Sequence, residues 1–107
     1  MPRLIFVFEI RLKPGHTIEQ YRFDWQNGSD RIVQELGCKC TTLFRSLTDP
    51  NLLIAMPEWE SIEARIDAME KINNPDHPDY DLTHRHLEHA DFVLSPGWLE
   101  EIGYAEH

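Results

Sequence analysis

Several things are scarce in this chain. No apolar run approaches the roughly 20 residues needed to span a bilayer, so no membrane helix is expected. Positive charge is scarce too: 10 Lys and Arg stand against 19 Asp and Glu, a formal charge of −9. Such a surface repels phosphate backbones and argues against nucleic acid as a partner. Cysteine is limited to Cys38 and Cys40. A disulfide between residues two apart would close a strained loop, and no further pair at metal-ligand spacing accompanies them. They read as reduced thiols on a strand. There is no internal repeat, and Met1-Pro2-Arg3 leads straight into a strand pattern without the apolar segment of a secretory signal. These absences point to a soluble, cytoplasmic protein folded as a single domain over residues 1–107, with neither membrane nor nucleic acid as partner.

What is present is clear periodicity. In residues 3–12 the even positions Leu4, Phe6, Phe8, Ile10 and Leu12 are all apolar, and the odd positions Ile5 and Val7 are apolar as well. That is a strand with one face fully buried and the other partly so. Pro14-Gly15 ends it. Thr17 with Gln20 fits a capping box, and Ile18, Tyr21, Trp25, Ile32, Val33 and Leu36 give the following helix an apolar stripe. Asn27-Gly28-Ser29 is expected to bend or split that helix, and Gly37 to stop it. Residues 38–47 and 52–59 read as a hairpin about Thr48-Asp49-Pro50-Asn51, with Pro57 near a strand end or bulge. Ser61 caps a second helix, whose apolar face is Ile62, Ile66, Met69 and Ile72. Asn73-Asn74-Pro75 stops it. A short helix over 80–89 leads into a last strand at 90–94, which Ser95-Pro96-Gly97 breaks, leaving a C-terminal arm over about residues 95–107.

The order β-α-β-β-α-β with right-handed crossovers gives an α+β, ferredoxin-like fold with an antiparallel sheet. Its helices cover one face only. Apolar side chains on both faces of the first strand therefore predict a second copy of the chain over the open face, that is, a homodimer.

The run Glu9-Ile10-Arg11-Leu12-Lys13-Pro14-Gly15, then Gly37, residues 43–47, Asp49-Pro50-Asn51, and Glu58-Trp59-Glu60-Ser61 with Ala64, carry a resemblance. Together they resemble the antibiotic-biosynthesis-monooxygenase-like (ABM) group of the dimeric α+β barrel superfamily, over residues 3–72. The resemblance implies a ferredoxin-like subunit that packs its sheet against that of a second subunit. Some members oxidise phenolic or anthrone-type aromatic substrates with oxygen and no bound flavin or metal; others degrade haem; many have no known reaction. Where the haem-degrading branch carries a histidine after its Trp, this chain has Met69.

On this reading a pocket between sheet and helices is lined by Phe6, Phe8, Phe44, Trp59 and Met69, with Tyr80 at its mouth. It would take a small apolar or aromatic molecule. His86 or His84 would deprotonate a phenolic or enolisable substrate, whose anion reacts with oxygen without a cofactor. Other readings stay open. Trp59 serves packing as readily as ligand contact. The run His84-x-His86-x-x-His89 is also compatible with a solvated helix face or with a metal-assisted enzyme, although no H-E-x-x-H spacing occurs. His16, after the Pro-Gly turn, reads as exposed. A non-catalytic binding or assembly module would show a filled interior with no cavity large enough for a drug-sized ligand.

Overall fold

The structure, a computed structural model, describes residues 2–106. Its elements in chain order are β1 (Leu4–Leu12), α1 (Ile18–Glu35), β2 (Cys38–Cys40), β3 (Leu43–Arg45), β4 (Leu52–Ala55), β5 (Glu58–Trp59), α2 (Ile62–Ile72), α3 (Tyr80–His84), a 3-10 turn (Arg85–Glu88) and β6 (Ala90–Glu100).

The local signals fold as their chemistry dictates. The Thr17 hydroxyl accepts from Gln20 N at 3.2 Å and the Gln20 side chain accepts from Thr17 N at 3.0 Å, closing both halves of the capping box. Ser61 accepts from Ala64 N at the start of α2. In the turn between β3 and β4, Asp49 accepts from Asn51 N. Gly37 takes φ +84° just past α1, a left-handed conformation that favours glycine.

β1 is the hub of one antiparallel sheet. Along one edge it pairs with β5 and β4, through Leu4↔Trp59 and Phe8↔Ala55; along the other it pairs with β6. β2 and β3 lie outside β5 and β4. β2 and β3 thus act as one strand interrupted at Thr41-Thr42, and β4 and β5 as one strand interrupted at Met56-Pro57. The result is the ferredoxin-like arrangement, with helices on one face. Pro57 sits at the interruption because it has no N–H to give; its carbonyl still accepts from Phe6 N at 2.9 Å.

The even residues of β1 face the helices. Ile10 packs with Tyr21, Trp25, Leu53, Ala55 and Ala90, and Phe6 packs with Cys38, Trp59 and Ala68. Tyr21, Ile10 and Leu53 are fully buried, and the two aliphatic side chains each contribute about 1.5–3 kcal/mol through burial. The other face carries Ile5, Ile54, Phe44, Val93 and Leu99 by register. Phe44, Val93 and Leu99 are 50%, 48% and 43% exposed, so the subunit leaves much of this face uncovered, although Val7 on it is buried.

Three expectations need correction. α1 runs unbroken through Asn27-Gly28-Ser29. Gly28 is buried, and a Cβ there would stand 3.0 Å from Thr83 Cα and 3.1 Å from Leu82 O. The glycine serves close approach to α3 rather than a bend. Next, Ser95-Pro96-Gly97 does not end the last strand. β6 continues to Glu100, and the extra residues are absorbed as a register shift between Val7↔Gly97 and Glu9↔Val93. The arm therefore starts after residue 100, and its last residue, 107, lies outside the described residues. Finally, α2 turns a different side inward. Ile62 and Ile66 are largely exposed, whereas Ala64, Ala68, Met69 and Ile72 pack inward. Small alanines let α2 lie close to the sheet, and that closeness sets its rotation.

Among the described residues no helix is long and apolar enough to cross a membrane.

Candidate functional site

The two strand interruptions and the inward sides of α1 and α2 leave a gap in the layer between sheet and helices. It is a cavity of about 230 Å³. Phe8, Trp25, Ile32, Met69, Ile72 and Phe92 give it apolar walls; Thr41 and Pro57, from the interruptions, form part of its lining. Trp59, Arg65, Asn73, His84 and His86 add polar groups.

Two of those groups are buried without a partner: Trp59 Nε1 and His86 Nδ1. A buried polar atom left unpaired costs about 1–3 kcal/mol, so two such atoms on residues that line the cavity are candidate partners for a ligand atom. The His86 ring meets Tyr21 and Phe92 edge-on, each at 5.7 Å between centroids. Burial pushes its pKa down to about 4, with the charges of His84 and His89 acting in the same direction and Asp24 opposing. At neutral pH it is an uncharged imidazole. The Tyr21 hydroxyl is likewise unpartnered, and burial raises its pKa.

His84 also lines the cavity but is tied down. Its Nδ1 donates to the Tyr80 carbonyl at 2.7 Å, and its Nε2 meets the Asn73 side-chain amide at 3.0 Å. Tyr80 stacks on the His84 ring with centroids 4.2 Å apart. Cys38, on the wall, donates to the Cys40 carbonyl; burial pushes its thiol up to about 11, so it stays protonated and unreactive. Both cysteines are free.

Of the residues singled out in the sequence, Phe8, Trp59, Met69, His84 and His86 meet at one cavity. Phe6 and Tyr80 stand behind the wall, Phe6 beneath the guanidinium of Arg65 and Tyr80 behind His84. Phe44 is misplaced in the sequence reading: it pairs with Ile54 on the helix-free face. The three histidines of 84–89 do not converge either. His89 Nε2 donates to Asp24 at 2.8 Å, which leaves its Nδ1 to accept from His16 Nδ1 at 2.9 Å. Among the described residues no group of three or more His, Cys, Asp or Glu is placed to hold a metal ion, which removes the geometric basis for a metal site at the histidine run. His16 is half-buried against His89 rather than exposed.

Arg65 and Asn73 were missed. Both were hidden by reading the apolar face of α2 through its isoleucines; the alternative phase, through Ala64, Ala68 and Ile72, places Arg65 inward.

No family model and no curated protein sequence matches this chain. Solved structures do match its fold. SnoaB, a cofactor-independent oxygenase from Streptomyces nogalater, is 11% identical, with 99% of this chain and 97% of SnoaB covered at a TM-score of 0.68. A candidate antibiotic biosynthesis monooxygenase from Bordetella bronchiseptica is 15% identical, with 98% and 100% covered at 0.71. A conserved protein of unknown function from Bacteroides thetaiotaomicron is 15% identical, with 94% and 98% covered at 0.68. The chain shares the ferredoxin-like fold of these proteins over nearly its whole length.

Proposed function

We propose that this protein is a small homodimeric monooxygenase-like enzyme acting on a phenolic or enolisable aromatic molecule held in the cavity. One observation carries the reading: an apolar cavity whose only buried orphan polar atoms are the Trp59 indole N–H and a nitrogen of the neutral His86 ring, among the described residues that line it. The fold shared with a cofactor-independent oxygenase supports it.

The chemistry needs orientation, a dry apolar site and one base. His86 takes the proton of the substrate hydroxyl. Its low pKa makes it a weak base when the site is empty, but the substrate anion formed beside it stabilises the imidazolium. Trp59 Nε1 donates to the anionic oxygen. The electron-rich ring carbon then gives one electron to oxygen, and the resulting radicals join to form a C–O bond. The peroxide anion takes the proton back from His86. Loss of that carbon's hydrogen together with the peroxide hydroxyl releases water and leaves a carbonyl, so one oxygen atom enters the product and the other leaves as water. His84, fixed by Tyr80 and Asn73, orients the wall of the site.

The second copy covers the face bearing Phe44, Val93 and Leu99. Sedimentation is expected to show a dimer at micromolar concentration, and Phe44→Glu to shift it towards monomer. A monomeric wild type removes the dimer.

The catalytic test is oxygen uptake with naphthohydroquinone. His86→Ala is expected to lower turnover by about 10²-fold or more, the usual worth of a positioned base. His84→Ala is expected to lower it less. Unchanged rates in both variants would remove the mechanism. A non-catalytic binding module is the second reading. The absence of any oxygen uptake above background would favour binding alone.

A further inference from the structure

Arg65 occupies a position that α2 should give to an apolar residue. It lies four residues before Met69 and seven before Ile72, on the side that packs inward. Its guanidinium carbon is 3.8 Å from the centroid of the Phe6 ring, and the side chain lines the same cavity as Trp59 and His86. It is about half withdrawn from water, and burial alone accounts for a guanidinium pKa below its ordinary value.

The chain is rich in carboxylates, yet none within the described residues lies within ion-pair distance of Arg65. Arg3, Arg11, Arg22, Arg31 and Lys39 have one within 4.0 Å; Lys13, Arg45, Lys71 and Arg85 show none among the described residues either, but none of those four lines the cavity. A partly desolvated cation without a counter-charge is costly, and contact with one aromatic ring offsets only part of that cost. The orientation matters too. With its central carbon over Phe6, the planar guanidinium still carries N–H donors in the fork geometry that binds a carboxylate through two parallel hydrogen bonds.

The size of the site narrows the ligand. About 230 Å³ lies between the roughly 150 Å³ of an apolar cavity that accepts benzene and the roughly 300 Å³ at which sites for drug-sized ligands begin. One or two rings fit. The charge narrows it further. Arg65 is cationic at every working pH, so its natural counterpart is already ionised in free solution. A carboxylate satisfies that; a phenol, with a pKa near 10, does not.

We propose that Arg65 is the carboxylate-binding group of this cavity and that its ligand is a one- or two-ring aromatic acid. The inference rests on the reading of the cavity as a ligand site and names the class of molecule it takes. The ring system packs against Phe8, Met69 and Ile72, the carboxylate pairs with Arg65, and a second polar group reaches Trp59 Nε1 and His86. The specificity follows: a protein of charge −9 repels anions in general, so binding of the acid depends on Arg65.

The test compares two probes of the same shape, β-naphthoate and neutral β-naphthamide, by calorimetric titration near neutral pH. The wild type is expected to bind the acid about tenfold or more tightly than the amide, the usual worth of a charge-assisted hydrogen bond. Arg65→Met is expected to abolish that preference. Arg65→Lys, which keeps a charge on the wall, should retain part of it. Equal affinity of the wild type for the two probes, or a preference that survives in Arg65→Met, overturns the proposal while the cavity reading stands. Binding of neither probe by the wild type overturns both.

Discussion

His86 and His89 stand three residues apart in one short segment, and the fold treats them in opposite ways. His89 is complete: Asp24 accepts from one ring nitrogen and His16 donates to the other. His86 lies against Tyr21 and Phe92 with Nδ1 unpaired, on the wall of a cavity. Only one of the two has an imidazole available to a ligand. Proximity in sequence therefore says little about role in this segment; what matters is whether the structure has already used the hydrogen-bonding capacity of a group.

The largest test of that contrast is acid. The pKa of His86 falls from 6.5 to about 4 on folding. Below pH 6.5 the unfolded chain gains a proton at this residue and the folded chain does not, so stability falls with pH until the folded form also protonates near pH 4. Complete passage through that window costs about 3 kcal/mol. Urea denaturation of wild type and His86→Phe at the two ends of the window should show this excess loss in the wild type alone. Equal pH slopes would mean that His86 is not sequestered, and the contrast with His89 would fail.

A smaller effect is expected where the segment is pressed onto α1. In Gly28→Ala the new methyl meets Thr83 Cα and Leu82 O, both backbone atoms that cannot swing aside. The cost should be about 1–3 kcal/mol in chemical denaturation. Displacing α3 should also wet His86, so the variant should show a shallower acid dependence than the wild type. A Gly28→Ala protein as stable as the wild type would show that the close contact between α1 and α3 is not needed.

The legible parts of this molecule were those written in local chemistry. The Thr17–Gln20 box, the Ser61 cap, the Asp49-Pro50 turn and the alternation of β1 each depend on residues adjacent in sequence, and each formed as read. With them came the order of elements and the sheet. The misreadings share another cause. Phe44 has the same parity as Cys38, which is buried among helix-side residues, but the irregularity between Cys38 and Leu43 shifts the alternation by one. Leu43 then packs against the core and Phe44 faces away. Similarly, Ile62 and Ile66 outweigh Ala64 and Ala68 in any count of hydrophobicity, although the alanines decide how α2 lies on the sheet. Arg65, the group on which ligand charge is proposed to depend, was lost in that weighting. Sequence periodicity shows which residues could be buried; strand irregularities and helix rotation decide which ones are.

The smallest expected effect lies on the satisfied side of the contrast. Asp24→Asn keeps an oxygen to accept from His89 Nε2 but removes the charge. The Asp24 and His89 side chains are 19% and 15% exposed, so the bond is shielded but not fully desolvated. The loss should be about 1 kcal/mol in chemical denaturation, the difference between a charge-assisted and a neutral hydrogen bond. Cavity function should change little, because His89 does not line the cavity. The one route by which the substitution could reach the site is electrostatic: Asp24 opposes the depression of the His86 pKa, so removing its charge should lower that pKa further. Histidine NMR titration of Asp24→Asn reads both results. A shift in the His86 resonance without loss of probe binding keeps His89 structural and His86 functional; lost binding of β-naphthamide would make the pair one unit.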